Sequence, residues 1–232
     1  MIDCHWGVFK EKECFFENLI LNIISSHPII ISMASVGVTA NKPVVKAVAL
    51  CGSLRKASFN RGLIRAAMEI CKEESGIEIE YLEVEPLPML NTDLETPDGG
   101  FPPVVEAFRH KILHSDCILF ASPEYNYSLA APLKNAIDWA SRPPNVFAGK
   151  AAAIMSAGGG FGGGLAQFHL RQVGVFLDLH FVNKPEVHVH AFQPPLKFNQ
   201  DGDLIHQQTY HQLKQLLLSL TNLSLRLQSN SN

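Results

Sequence analysis

Three stretches of the chain carry residue types from which a ligand site can be built. The first is Gly52-Ser53-Leu54-Arg55-Lys56-Ala57-Ser58-Phe59-Asn60. Gly52 permits a sharp turn, Ser53 and Ser58 bring hydroxyl donors, and Asn60 brings an amide donor. Arg55 adds a planar cation suited to phosphate oxygens. If a helix follows, its unpaired N–H groups and positive dipole end favour an anion at the same place. The stretch lacks the Gly-Lys-Ser/Thr of a Walker loop and the spacing of G-x-G-x-x-G. An ordinary strand-to-helix turn capped by Ser58 or Asn60 is the alternative. The second stretch is Ser122-Pro123-Glu124-Tyr125-Asn126-Tyr127-Ser128. Its tyrosines, amide and carboxylate can flank a planar heterocycle and meet its carbonyl and imide groups, or form a Pro/Asn turn with surface tyrosines. The third, Ala157-Gly158-Gly159-Gly160-Phe161-Gly162-Gly163-Gly164, leaves backbone N–H groups uncovered for close approach, or is merely a turn.

These stretches must be held by the elements between them, and the sequence reads as alternating strands and helices. Val44–Leu50 is a β-branched run ending at Gly52, as a buried strand should be. Asn60–Ser75 places Leu63, Ile64, Ala67, Met68 and Cys71 at helical spacing, with Gly76 just beyond. Ile77–Glu83 alternates strictly, like a half-exposed edge strand. Glu85–Pro103 is a long loop with five prolines, and loops of this length are usually functional or mobile. A helix over Pro103–His114, a strand over Asp116–Ser122, a helix over Pro132–Ser141 and a strand over Lys150–Ser156 follow. Leu165–Leu179 reads as helix, Pro185–His190 as a fifth strand and Tyr210–Leu227 as a closing helix. Five strands joined by helices imply a parallel sheet covered on both faces. Ligands then bind outside the carboxyl ends of the strands, and that rule selects the same three loops.

Composition narrows the function classes. Of 232 residues, 47% are hydrophobic and 18% charged, which excludes a disordered or fibrous chain. A net charge of −3 argues against duplex nucleic acid or an anionic membrane as the main partner. The five cysteines (Cys4, Cys14, Cys51, Cys71, Cys117) are odd in number and form no C-x-x-C, which suits a reducing compartment and a cytoplasmic protein. Leu19–Ile31 is apolar, but Asn22, Ser25, Ser26, His27 and Pro28 interrupt it. It also falls short of the roughly 20 apolar residues of a spanning helix. Glu11, Glu13 and Glu17 lie where a signal peptide would be basic. The expected organisation is an N-terminal extension over 1–41, of which 1–32 are dispensable, one domain over 42–228 and a short tail over 229–232.

Other constellations carry less. His110 and His114 have a metal-ligand spacing but no third ligand, so no metal is expected. His188 and His190 share one strand face, there is no G-x-S-x-G, and the leucines at 213, 216, 217, 220, 223 and 227 fit core packing of an amphipathic helix.

The segments GSLRKASFNRGL, SPEYNYSLAAPLKNAIDWASRP and HLRQVGVFLD followed by NKPE, in this order, resemble the NADPH-dependent FMN reductase family. Within it the chain is similar to flavodoxin-like NAD(P)H:quinone oxidoreductases, over about Val44 to Leu227. The resemblance implies a doubly wound α/β fold with a five-stranded parallel sheet in the order 2-1-3-4-5. It implies noncovalent FMN, with its phosphate held by Ser53, Arg55, Ser58 and Asn60, and its ring lined by Pro123, Glu124, Tyr125 and Asn126. Ser156 and the backbone of Gly158 and Gly159 would close over the flavin. Related third loops often carry more serine, so only backbone contacts are expected from this nearly all-glycine one. NADPH or NADH would deliver hydride and a quinone would take two electrons at the same face, bypassing a free semiquinone, with Tyr127 as a pocket wall. No side chain is then required for acid–base chemistry, because the cofactor carries the reaction. The resemblance also implies a homo-oligomer, a tetramer, with the Glu85–Pro103 loop and the Arg171/Glu186 region as candidate contacts. Azo, chromate or free-flavin reduction, or a non-catalytic flavin carrier, are the competing functions.

Overall fold

The β-branched and alanine-rich runs assemble into one parallel sheet in a computed structural model that describes residues 44–73 and 76–229. The expected extension over 1–41 and the last three residues of the tail lie outside the described residues. Strand β1 (Val45–Cys51) lies between the edge strand β2 (Ile77–Leu82) and β3 (Cys117–Ala121), in registers Val45↔Ile77 and Ala47↔Cys117. A short hairpin, β4 (Glu124–Tyr125) and β5 (Ser128–Leu129), follows β3 and stands apart from the sheet. Strand β6 (Ala151–Gly158) pairs with β3 from Cys117↔Ala151 onward. β3 is buried along its whole length, whereas β2 exposes alternate residues, as central and edge positions require.

The fifth sheet position differs in detail from the expected single strand. Two short strands, β7 (His180–Phe181) and β8 (Val187–His190), both pair with β6, at Ala151–Ala152 and at Met155–Gly158. Pro185 lies in the gap between them; it has no N–H to donate, so a continuous ladder cannot run through it. The parallel flavodoxin-like order survives, with six strands rather than five.

Side-chain alternation along β1 divides the core between the two faces. Val45, Ala47, Ala49 and Cys51 pack with Leu63, Ile64, Ala67 and Ile70 of helix α1 (Phe59–Glu73). Leu213, Leu216, Leu217 and Leu220 of the closing helix, Gln207–Ser229, join the same cluster, so the leucine stripe is core. Val48 and Leu50 face the other side. There they meet α2 (Pro103–Leu113), α3 (Ala131–Ser141) and α4 (Gly164–Phe176) through residues such as Val105, Phe108, Leu133, Ile137 and Leu170. The closing helix is α5. Among the described residues no helix is long and apolar enough to cross a membrane.

The long Glu85–Pro103 loop is pinned by specific bonds. Asn135 Nδ2 and Trp139 Nε1 both donate to the Pro88 carbonyl, at 2.9 and 2.8 Å, and Arg142 grips the Glu95 carboxylate. Arg109, 4% exposed, donates to the carbonyls of Trp139, Ala140, Arg142 and Pro144. A buried guanidinium without a carboxylate is tolerable here because these acceptors lie at the negative end of α3.

Candidate functional site

The carboxyl ends of β1, β3 and β6 bring the three loops to one cavity of about 240 Å³. Nine of the eleven expected cofactor-binding residues line it: Ser53, Arg55, Ser58, Asn60, Pro123, Glu124, Tyr125, Gly158 and Gly159. Phe59, Ala157 and Phe192 complete the lining, and sequence reasoning did not single them out. Asn126 and Ser156 are not part of it.

The first loop is shaped by close backbone approach. A Cβ on Gly52 would stand 2.9 Å from Ser122 Oγ and 3.1 Å from Ala130 Cβ, so only glycine lets the first and second loops meet there. Gly52 N–H also donates to the Ala121 carbonyl at 2.8 Å. Ser58 caps α1, its Oγ accepting from Arg61 N–H, which leaves the hydroxyl hydrogen for another partner. Arg55 curls back to donate to the Ala57 carbonyl at 2.7 Å and lies over the Phe59 ring. Asn60 is turned inward: its Nδ2 donates to the Ala157 carbonyl and its Oδ1 accepts from Ala157 N–H, both at 2.9 Å. Its carboxamide thus ties the first loop to the third and keeps one amide hydrogen uncommitted.

The second loop is a two-residue hairpin with Asn126 and Tyr127 at its tip, both left-handed at φ +50° and +61°. Asparagine tolerates this conformation, whereas tyrosine adopts it at a cost that functional sites often carry. Tyr127 is 65% exposed and meets the Phe161 ring edge-on at 6.4 Å, so the hairpin and the third loop touch through aromatic side chains. Glu124 is anchored to the next element. Its Oε2 accepts from Leu165 N–H at 2.9 Å and more weakly from Ala166 N–H, placing a carboxylate on the positive end of α4.

In the third loop, Ser156 works from behind. It is fully buried, donates to the Gly162 carbonyl at 2.7 Å and accepts from Gln167 Nε2 at 2.8 Å. Gly163, at φ +86°, leaves no room for a Cβ, which would stand 2.5 Å from Ser156 Cβ. Gly159 has nothing within 4 Å of a Cβ position, so its bareness is not required by the fold.

The cavity is electropositive at one end, where Arg55 and the start of α1 converge, and apolar or backbone-lined at the other. An anionic phosphate fits the first end, and a flat ring system fits the slot between the Pro123–Tyr125 segment and Gly158–Gly159. Cys51, just before the first loop, is a neutral thiol: burial pushes it up to about 11, and its Sγ accepts from Ser53 N–H. His188 packs behind Gly164, and burial lowers its pKa. The cavity lining thus holds no free acid–base pair, and its one carboxylate is spent on a helix end. Among the described residues no group of three His, Cys, Asp or Glu is placed to hold a metal ion, and the His110 and His114 rings lie tilted against each other at 4.1 Å.

A sequence model of NADPH-dependent FMN reductases matches residues 45–194. The chain belongs to that family. Relatives similar to it include a Solanum tuberosum NAD(P)H:quinone oxidoreductase, 65% identical over 189 residues, covering 81% of this chain and 97% of the relative. An Arabidopsis thaliana NADPH:quinone oxidoreductase is 64% identical over 192 residues, 82% of this chain and 97% of that one. Among solved structures, the flavoenzyme NAD(P)H:(acceptor) oxidoreductase FerB of Paracoccus denitrificans superposes with a TM-score of 0.67 at 29% identity, covering 79% of this chain and 98% of its own.

Proposed function

We propose that this protein is an FMN-dependent NAD(P)H:quinone oxidoreductase. The observation that carries the reading is the convergence of a cationic first loop, a hairpin and a bare glycine backbone on one cavity at the carboxyl ends of the sheet. Its family and the names of its relatives agree. Bound there, FMN supplies the two-electron chemistry between nicotinamide and quinone. Ser53, Arg55 and Ser58 would hold the phosphate with the dipole of α1, and Asn60 would donate its spare amide hydrogen to it. Pro123, Glu124 and Tyr125 would line the ring, with Asn126 flanking them at the hairpin tip, outside the cavity lining. Gly158 and Gly159 approach it with bare amides, while Ser156 keeps the third loop in shape. Tyr127, beside Phe161, walls the substrate side.

With one stacking face available, nicotinamide and quinone occupy it in succession, giving a ping-pong scheme in which no one-electron product is released. Phe168, Val175 and Phe176 share an exposed face of α4. Burial of that face in a homotetramer accounts for it, in keeping with the symmetric assemblies of most enzymes. Arg171 and Glu186, expected near such contacts, bond within the chain to Val182 and to Lys184. A cytoplasmic place and a role in quinone detoxification belong to this proposal.

The test is a visible spectrum of the purified protein, before and after NADPH without oxygen or acceptor. Bleaching of a yellow protein, then recovery on adding quinone, is the expected result. A protein that stays yellow is a flavin carrier and overturns the reading. Initial rates at several quinone concentrations should give parallel lines, with NADP⁺ competing against quinone; intersecting lines overturn the shared face.

A further inference from the structure

Between β8 and α5 the chain doubles back into a turn. Phe198 and Leu204 pair across a bridge, Asp203 N–H donates to Asn199 Oδ1 at 2.8 Å, and Gly202 holds the bend at φ +79°. The turn is pressed against the back of the first loop at several points. A Cβ on Gly202 would stand 2.8 Å from the Ala57 carbonyl oxygen and 3.1 Å from the Ser58 carbonyl carbon. On α1, a Cβ on Gly62 would overlap the Gly202 carbonyl. Buried Phe198 stacks on Phe59 at 4.5 Å, and Arg65 Nε donates to Asp203 at 2.6 Å. Two glycines far apart in sequence are therefore both needed bare, Gly202 to let this turn touch the first loop and Gly62 to let it touch α1.

What the turn supports is the part of the loop that faces the ligand. The Ala57 carbonyl beside Gly202 also accepts the Arg55 guanidinium, and Ser58 next to it caps α1. We propose that the Asn199–Asp203 turn is a positioning element for phosphate recognition: by backing Ala57 and Ser58 it holds Arg55 and Ser58 in the geometry that selects FMN over riboflavin. The inference rests on the reading of the first loop as the phosphate holder. Charge-assisted bonds are directional, so a cradle without rigid support loses affinity even with every ligand present.

The test titrates the flavin-free full-length protein with FMN and with riboflavin, following flavin fluorescence, and takes the ratio of the two Kd values. Riboflavin differs only by the missing phosphate, so a general loss of stability leaves the ratio in place while both flavins still bind. Gly202→Ala should lower the preference for FMN about tenfold, the worth of one charge-assisted hydrogen bond, with riboflavin affinity held within about twofold. Asp203→Asn, at a half-buried position, removes the charge that pairs with Arg65 and alters the acceptor of Asn199 Nδ2, and should lower the preference about two- to threefold. Arg55→Ala is read in the same titration. If it leaves the preference unchanged, the loop does not hold the phosphate and both readings fall. If it collapses the preference while Gly202→Ala and Asp203→Asn match the unaltered protein, the positioning role alone is overturned. Should Gly202→Ala fail to fold, Asp203→Asn decides by the same criterion.

Discussion

The first loop offers the cavity side chains, whereas the third offers it backbone: Ser53, Arg55 and Ser58 on one side, Gly158 and Gly159 on the other. The first is held by polar ties to its neighbours and by a helix cap. The third is held by two glycines that the fold demands, Gly162 and Gly163, and by Ser156 behind them. Asn60 joins the two through the Ala157 peptide. The difference separates two kinds of requirement. A charged end needs groups of defined direction, while a flat apolar end needs only that nothing stands in the way.

Breaking the tie between the loops should have the largest effect. Asn60→Ala leaves the N–H and carbonyl of Ala157 buried without their partner, at a cost of about 2–4 kcal/mol for two such groups. Urea unfolding should show the midpoint falling with an unchanged slope. An unaltered midpoint would mean that the carboxamide does not hold the loops together.

Arg55→Ala strikes the charged end alone. FMN affinity should fall by about 1.5–3 kcal/mol, while the urea midpoint stays within error, because the guanidinium bonds only to its own loop. Equal FMN affinity in the two proteins sinks the phosphate assignment.

At the glycine end, Gly163→Ala forces a left-handed alanine against Ser156 and should cost about 1–3 kcal/mol of stability. Glu124→Gln keeps an acceptor for Leu165 N–H but removes the charge from the α4 terminus. A loss of about 0.3–1 kcal/mol, shrinking in high salt, is the expected result. A salt-independent change would assign the effect to geometry instead of charge.

Most strands of the sheet were legible in the sequence, β1, β3 and β6 as short apolar runs between turn residues and β2 by its alternation, and the sheet's carboxyl edge followed from the alternation with helices. Other features were not. The Glu124–Leu129 hairpin turns on Asn-Tyr, which carries none of the Asn-Gly signal that marks such turns. The split of the fifth strand depends on Pro185 in a stretch whose pairing partner lies far away on β6. The type of Asn60 suits a ligand to the anion, but its carboxamide also binds Ala157, 97 residues distant, and no local pattern encodes that contact. Phe192 was invisible for the same reason: an isolated aromatic residue after a strand has no spacing to betray it. Ser156 was placed by resemblance at the loop that closes the site, yet its side chain serves the loop's interior.

The smallest effect on stability should come from Gly159→Ala, and it sharpens the contrast most. Gly159 is exposed, its φ lies outside the left-handed range, and no atom stands within 4 Å of an added Cβ. The fold has no use for a glycine there, so the urea midpoint should move by less than about 0.5 kcal/mol, as for an ordinary surface substitution. The residue nonetheless lines the cavity. If its bare backbone is the surface on which the flat ring rests, the methyl group occupies ligand space and FMN and riboflavin should weaken together, leaving their ratio unchanged. That pattern is the reverse of the one expected for Arg55→Ala, which moves the ratio. Full flavin affinity in Gly159→Ala would show that the third loop stands clear of the ring and that the cavity recognises only the phosphate end.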